Sequence, residues 1–463
     1  MQSSNKITIY NISSTIILQG LTFIVAPIIS RMLSPENYGI ATVYVTWVSI
    51  ASTIFGLQTQ SSLAVARKEY DIKDQERYQS SVLFLSIVSF AIFSLAVCIF
   101  IRPLSGLLKL SIPLLLMLIP NSFGQNIVNF INIKNTYEFK AKNNFILTII
   151  TSLSTLGLSL VFIHIFPDDI NYYGRVIGIT IPYSIMGIVF SIWLIGKGKC
   201  YFNKEYWKFC ISLCIPIILH SVSGLLLNQS DRVMLQNLCD NNSVGLYGLA
   251  FSFASVLTAI FNAFNNSWVP FYYEHTRKRE YAILMKRAHN YLELFSVLSI
   301  GFVLLSKEVF HIFAGKEFWG GTTLIPVFAI GLYFTFLYSF PVNYEFYNKK
   351  TKIIATGTIA AAICNIILNY YLINSFNIMG AAFATSIAHF LQFIFHHICA
   401  KYFIKSEEKY PFSFGFLMAY FCMFAVGVIL SIIFDRYALI RWGIGMAIGI
   451  LEILRIYKRK QLF

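Results

Sequence analysis

The chain reads as an all-α polytopic membrane protein with about fourteen transmembrane helices, and three observations carry that expectation. Of its 463 residues, 57% are hydrophobic and 12% are charged, with a mean hydropathy of +0.65; a soluble domain carries about 25% charged residues. The apolar residues gather into runs of roughly 20, the length that crosses the hydrocarbon of a bilayer as a helix. The 36 Lys and Arg residues fall mostly in the short connections between those runs.

The first run, 9–31, follows a single Lys and ends in Arg-Met-Leu rather than at a small-residue cleavage site, so it reads as a span and not a removable signal. A polar punctuation, RMLSPENYG over Arg31–Gly39, separates it from the second run, 38–60. Spans three to six are expected at 79–101, 110–133, 143–166 and 174–196, the fourth carrying Pro120 and several amides. A basic linker leads to spans at 209–230, 246–273, 290–313, 323–347, 353–373, 378–400, 412–434 and 437–457.

Placing the amino terminus in the cytoplasm and alternating the connections puts 27 of the 36 Lys and Arg on the inner side and nine on the outer. That bias is what the positive-inside rule requires, and it sets both termini in the cytoplasm. The net charge of +15 is then basic loops facing anionic headgroups. No basic stripe with interleaved aromatics leaves the membrane, which counts against nucleic acid as a partner.

The eight cysteines lie mostly within spans with no C-x-x-C pair, so neither disulfides nor a metal site is expected. Cys210 and Cys214 share a helix face through packing. There is no G-x-x-x-x-G-K-[ST], no G-x-S-x-G and no H-E-x-x-H; no cofactor and no enzymatic chemistry is expected. His389, His396 and His397 recur on one side of span twelve. The last two lie near the inner interface without a convenient carboxylate, so interfacial packing is the expectation there.

The punctuation recurs. After span seven comes DRVMLQNLCDNNSVGLYG, Asp231–Gly248, which echoes RMLSPENYG in an arginine, a leucine, a polar turn and a glycine opening the next span. Lys140-Ala-Lys142 and Lys350-Thr-Lys352 open spans five and eleven in the same way. Echoes in matching places point to an internal duplication: two six-span blocks and two trailing spans. An even number of spans per block makes the repeats parallel. The domain boundaries expected from this are 1–197, 198–402 and 403–463.

The R-x-L-x-P-E-x-Y-G signature and the D-R followed by a V-G-x-Y turn resemble the polysaccharide-flippase family. These are the O-antigen and capsule repeat-unit exporters (Wzx type) of the multidrug/oligosaccharidyl-lipid/polysaccharide exporter superfamily. The resemblance implies two six-helix lobes in a V, with a cavity opening alternately to each side, plus two C-terminal helices beside them. It implies a polyprenyl-diphosphate-linked glycan as substrate, flipped across the bacterial cytoplasmic (inner) membrane. Membrane lipids, the polysaccharide polymerase and the glycosyltransferases are the implied partners.

Polar side chains within spans cost free energy unless they face a partner or a water-filled cavity. Asn11, Thr15, Gln19 and Thr22 share a face of span one, and Thr42, Thr46, Ser49, Thr53, Gly56 and Gln60 one of span two. Span seven shows His220, Gly224, Asn228, Arg232 and Gln236, and span eight Ser255, Thr258, Asn262 and Asn265. Packing and back-bonding to carbonyls is the expectation for the hydroxyls. For Gln19, Gln60, Asn228, Asn262 and Asn265, packing and cavity lining both stand. Arg31, Asp231 and Arg232 are the charged candidates, because guanidinium forks onto phosphate; snorkelling to outer headgroups stands beside that reading. Asp231 and Arg232, adjacent on a helix, are not expected to face each other.

Transport by alternating access is the expected function, with a lipid-linked oligosaccharide as cargo. A cation-coupled multidrug exporter is the alternative, and it calls for a carboxylate buried in span one or seven. Residues 9–30 and 209–230 contain no Asp or Glu. His220 or Glu345 could carry a coupling proton.

Overall fold

The structure, a computed structural model, describes Phe23 and residues 25–459. Every element among them is helical, and the chain divides into two compact units, 1–245 and 246–463.

In the first unit, α1 (Pro35–Phe55) starts on Ser34, whose hydroxyl accepts from the Asn37 backbone N–H. Proline at the first position and Glu36 in the first turn suit a helix start, where free N–H groups and the dipole favour both. The helix stops at Gly56, short of the expected 60. Leu57 and Gln58 take left-handed φ of 53° and 48°, and a 3-10 turn, Thr59–Ser62, leads to α2 (Leu63–Glu69). Then come α3 (Ile72–Ile99), the short α4 (Ile101–Leu108), α5 (Ile112–Tyr137), α6 (Ala141–Ile165), α7 (Tyr172–Gly198) and α8 (Lys204–Leu238). Helix α7 is central, running along both α5 and α6. α8 continues eight residues past the expected end at 230, so Asp231, Arg232 and Gln236 are helical rather than part of a turn.

α9 (Asn241–Ala254) crosses from the first unit to the second. The second unit continues with α10 (Val256–Arg277), α11 (Tyr281–Phe313), a 3-10 stretch (Lys316–Leu324), α12 (Ile325–Tyr347), α13 (Thr351–Ile398), α14 (Phe414–Ile433) and α15 (Ala438–Arg459). α13 holds two expected spans and breaks at Asn377, with φ 50° and ψ −131°, between the expected limits of 373 and 378. α12 lies along α13, while α14 and α15 both pack on α11. The core is aromatic: Trp268, Tyr272, Tyr291, Phe295, Tyr333, Phe336 and Phe340 are buried together.

Among the described residues, ten helical segments are long and apolar enough to cross a bilayer, so the chain is a multi-pass membrane protein. α11 and α15 fall outside that set and carry charge. Arg441 of α15 is buried against Glu308 of α11 and donates to the Leu304 carbonyl at 2.9 Å, and Arg455 meets Glu293. The charge of Arg441 is thus matched inside the unit, as an intramembrane arginine must be. The outward faces carry Ile92, Ile192, Leu439 and Ile453 exposed, a surface suited to lipid rather than water.

Two local backbone features recur in both units. A Cβ on Gly174 of α7 would collide with the α6 backbone at Phe162, and one on Gly380 of α13 would collide with the backbone at Leu372. Such contacts let helices approach closely, and the two glycines are 206 positions apart. The turn ending α5 and the turn ending α12 are also the same. Phe139 and Lys349 both have φ 58°, and the N–H groups of Lys140 and Lys350 both reach back five residues, at 2.8 Å, to the carbonyls of Asn135 and Glu345. This is the Schellman pattern of a helix end.

Candidate functional site

The RMLSPENYG stretch is a tightly bonded corner. Asn37 donates from Nδ2 to the Asp168 carbonyl at 2.7 Å and to Asn171 Oδ1 at 2.9 Å, and Asn171 donates in turn to the Met32 carbonyl at 3.2 Å. The connection between α6 and α7 is thereby pinned to the start of α1. A Cβ on Gly39 would strike the Asn241 carbonyl, and one on Gly245 would strike that of Pro35. The two echoing motifs thus lie against each other glycine to backbone, and each glycine is required by the other's helix start.

Arg31 lies at this corner, exposed, and donates to the Pro27 carbonyl at 3.3 Å. Asp231 and Arg232 are buried. Arg232 Nη1 donates to the Asn228 carbonyl at 2.6 Å, as its place one turn above Asn228 suggested, and to Asp231 Oδ1 at 3.2 Å. The expectation that these neighbours cannot meet is corrected. A guanidinium on a long stem folds back over its own helix, and the Asp231 carboxylate, which also accepts the Arg232 N–H at 2.8 Å, is already turned towards it. Burial likewise sets aside snorkelling for Arg232.

One turn lower, Asn228 is exposed and donates to the Gly224 carbonyl at 2.7 Å. Gln236 donates to the Lys109 carbonyl at 3.3 Å and to Asn241 Oδ1 at 3.0 Å. Lys109 returns two bonds of 3.3 Å to the carbonyls of Gln236 and Asn237. A cation over the last carbonyls of α8 complements the helix dipole. Nothing in the local sequence of Lys109 marked it for this, because its partners lie 127 and 128 residues away.

Gln60 is buried where α1 breaks. It donates to Gln58 Oε1 at 2.8 Å, and its Oε1, with Thr59 Oγ1 and Asn126 Oδ1, has no hydrogen-bond partner. The break is held from two helices, α3 and α8: Ser86 donates to the Gly56 carbonyl at 3.2 Å, Tyr78 to Ser62 Oγ at 2.7 Å, and Cys214 to the Gln58 carbonyl at 3.2 Å. Irregular backbone at membrane depth is tolerated where protein or a water-filled cavity surrounds it. Thr42, Thr46 and Ser49, on the same face, bond back to the carbonyls of Tyr38, Thr42 and Val45. That is the packing expectation, not a lining one.

In the second unit Asn262 and Asn265 are half-buried, and Asn265 Oδ1 accepts from Asn343 at 3.4 Å. Gln19 lies outside the described residues. The candidates therefore form two local groups, one around Arg232 and one around Gln60, with Asn262 and Asn265 in the other unit.

The expectation of mere interfacial packing for His396 is corrected as well. His396 Nδ1 is 2.7 Å from Glu345 Oε2, and both side chains have zero exposure. The carboxylate comes from α12, 51 residues earlier, and only the packing of α12 along α13 brings it there. A small cleft in the first unit is lined by Arg67, Tyr78, Lys134 and Glu138 among others. Lys134 and Lys140 both pair with Glu138 at 2.6 Å. Burial opposes ionisation of Glu138, but the bonds from the two lysines outweigh it and hold its carboxyl below the ordinary value.

Residues 5–274 match the family model described as polysaccharide biosynthesis protein. Among curated relatives, the chain is 23% identical over 365 residues to "Lsg locus putative protein 1" of Haemophilus influenzae, covering 74% of this chain and 84% of that one. It is 22% identical over 408 residues to "Capsular polysaccharide biosynthesis protein CapF" of Staphylococcus aureus, covering 82% and 94%. Among solved structures it resembles "Lipid II flippase MurJ, inward closed conformation", with a TM-score of 0.73, 18% identity, and coverage of 98% and 99%. At that identity the likeness is one of fold.

Proposed function

The chain belongs to the polysaccharide biosynthesis protein family, and from that premise we propose that it flips a polyprenyl-diphosphate-linked oligosaccharide repeat unit across the membrane. Cargo passes from the cytoplasmic to the outer leaflet of a bacterial inner membrane by alternating access, for O-antigen or capsule assembly, with both termini in the cytoplasm. The observation that carries this reading is the family match over more than half the chain. It is supported by a capsular polysaccharide protein among the relatives and by the fold of a lipid II flippase. The multidrug alternative calls for a carboxylate free to exchange a cation; residues 9–30 and 209–230 hold no Asp or Glu, and Asp231, buried in the extension of α8, is engaged by Arg232.

Arg31 and Arg232 are proposed as ligands of the diphosphate. Gln19, Gln60, Asn228, Asn262 and Asn265 are proposed to meet the glycan, and Asp231 to hold Arg232 in place. Arg232 binds phosphate by giving up its bond to Asp231, so its affinity includes the cost of breaking that pair. The test is a deletion strain. Accumulation of the polyprenyl-diphosphate glycan on the cytoplasmic leaflet, with loss of surface polysaccharide, is the expected outcome. Restoring the strain with Arg31→Ala or Arg232→Ala should recover less than about a tenth of surface polysaccharide, as loss of a charge-assisted phosphate contact implies. Untouched surface glycan, with retention of a small cationic compound in the cells, would overturn the reading.

A further inference from the structure

An ionisable group inside a membrane span is costly and is retained where it does something. Among the described residues, Glu345 and His396 are the acid–imidazole pair in which both side chains have zero exposure. Glu345 Oε2 and His396 Nδ1 share one hydrogen bond of 2.7 Å, while Glu345 Oε1 and His396 Nε2 have no hydrogen-bond partner. The imidazole is seated deliberately. A Cβ on Gly357 would collide with its Nε2, so the first half of α13 leaves room for it, and the Tyr338 ring meets it edge-on at 4.9 Å.

The fold does not need this pair. The turn that ends α12 is repeated at the end of α5, and there the carbonyl matching that of Glu345 belongs to Asn135, a buried neutral amide. One copy of the same corner is built with an amide and the other with an acid hydrogen-bonded to an imidazole. Since a well-packed neutral replacement is often as stable as a buried ion pair or better, stability alone does not account for the acid.

We propose that Glu345 and His396 form a proton-binding site that couples the transport proposed above to a proton gradient. The pair shares one proton and is neutral overall. Release transfers that proton to water as hydronium and leaves a carboxylate beside neutral imidazole; rebinding reverses it, and no other bond changes. A lone carboxylate cannot stay buried without a large penalty, so the closed arrangement of α12 and α13 requires the proton. Exchange is confined to the arrangement in which water reaches Oε1 or Nε2. The surrounding titratable groups are Tyr338 on α12, Cys399 and His397 at the end of α13, and Tyr410 beyond it. Lys401 stands near His397. No Lys, Arg or second carboxylate pairs with Glu345 or His396 among the described residues. The proton is the ligand that satisfies the site, because imidazole changes charge between about pH 5 and 8.

The inference rests on the transport reading, and the test separates the two. Full-length protein is reconstituted into vesicles with a fluorescent polyprenyl-diphosphate-linked monosaccharide as probe, and its distribution between leaflets is followed under imposed pH gradients. For one proton per cycle, a gradient of about one pH unit should shift the wild-type distribution about tenfold. Glu345→Gln and His396→Gln should both lose that shift. Retention of the full shift by Glu345→Gln would overturn the inference and leave transport standing. Infrared difference spectra of the same proteins in detergent need no probe. As pH is stepped, the wild type should show carboxyl and imidazole bands changing together, a change missing in both variants. If the wild type moves no probe under any gradient, the transport reading fails and the spectra alone decide the proton site. Identical spectra in all three proteins would refute it.

Discussion

Asn37 shows how much one amide decides. It is the fourth residue of SPEN, where an asparagine in a first helical turn would usually be read as a local cap. Its two bonds go instead to Asp168 and Asn171, more than 130 residues away, and they fix one end of the first unit. Asn37→Ala should cost about 1–3 kcal/mol, because the buried Asn171 side-chain carbonyl is left without that donor; thermal unfolding in detergent reads this directly. A midpoint within error of the wild type would mean that the Gly39–Asn241 contact alone holds the corner. The charged residues make the same point. Arg232 reads from sequence as a rim arginine, and its chemistry was legible. Its partner was not, because whether a guanidinium folds back to residue 231 depends on which side of α8 is buried. For His396 the sequence showed the imidazole but not the acid, since Glu345 is near it only once α12 and α13 pack.

At the scale of the element, apolar periodicity located the helices and missed their ends. α8 was expected over 209–230 and runs Lys204–Leu238, because a polar last turn stays helical when Lys109 covers its carbonyls. α1 ends early, at Phe55, because the left-handed pair Leu57–Gln58 is stabilised by Ser86 and Cys214 from other helices, partners that a local reading of 56–62 does not see. The end of α5 is a place where pH should be felt. Folding holds the Glu138 carboxyl below its ordinary value, so its pairing stabilises the folded state above the unfolded carboxyl range. That contribution is lost as pH falls through the folded value. Glu138→Gln should therefore lower stability by about 1–2 kcal/mol at neutral pH and by progressively less at an acid pH below the ordinary carboxyl value of about 4, as the folded carboxyl protonates. Unfolding curves at the two pH values check both halves; an equal loss at each would assign the effect to shape rather than charge.

The whole molecule is two compact units whose internal contacts repeat. Gly174 and Gly380 sit at matching close approaches, and the turns at Phe139 and Lys349 share φ and hydrogen-bond pattern. The same turn also ends α10, at Arg279, so these recurrences accompany the echoes and the duplication stays an expectation of the sequence. Its orientation in the membrane is testable by single cysteines in a cysteine-free chain. A cysteine at Asp169 should react with an impermeant thiol reagent in intact cells, and one at Lys278 only after permeabilisation. The reverse pattern would overturn the orientation drawn from the basic loops.

Composition and charge placement by themselves determined that this chain lives in a bilayer, that it is helical, and that a duplicated unit with two trailing spans was to be expected. These follow from the solvent: apolar length and loop charge are summed over many residues, and no single contact alters the sum. Tertiary structure alone decided that Arg232 is paired, that Gln60 sits at a broken helix, that Arg441 is buried against Glu308, and that Glu345 and His396 meet in a buried hydrogen bond. The last two depend on side chains 133 and 51 residues apart arriving within hydrogen-bond distance, and the first two on which side of a helix is buried and on the helices that hold the break. Local periodicity carries no record of which helix will be the neighbour.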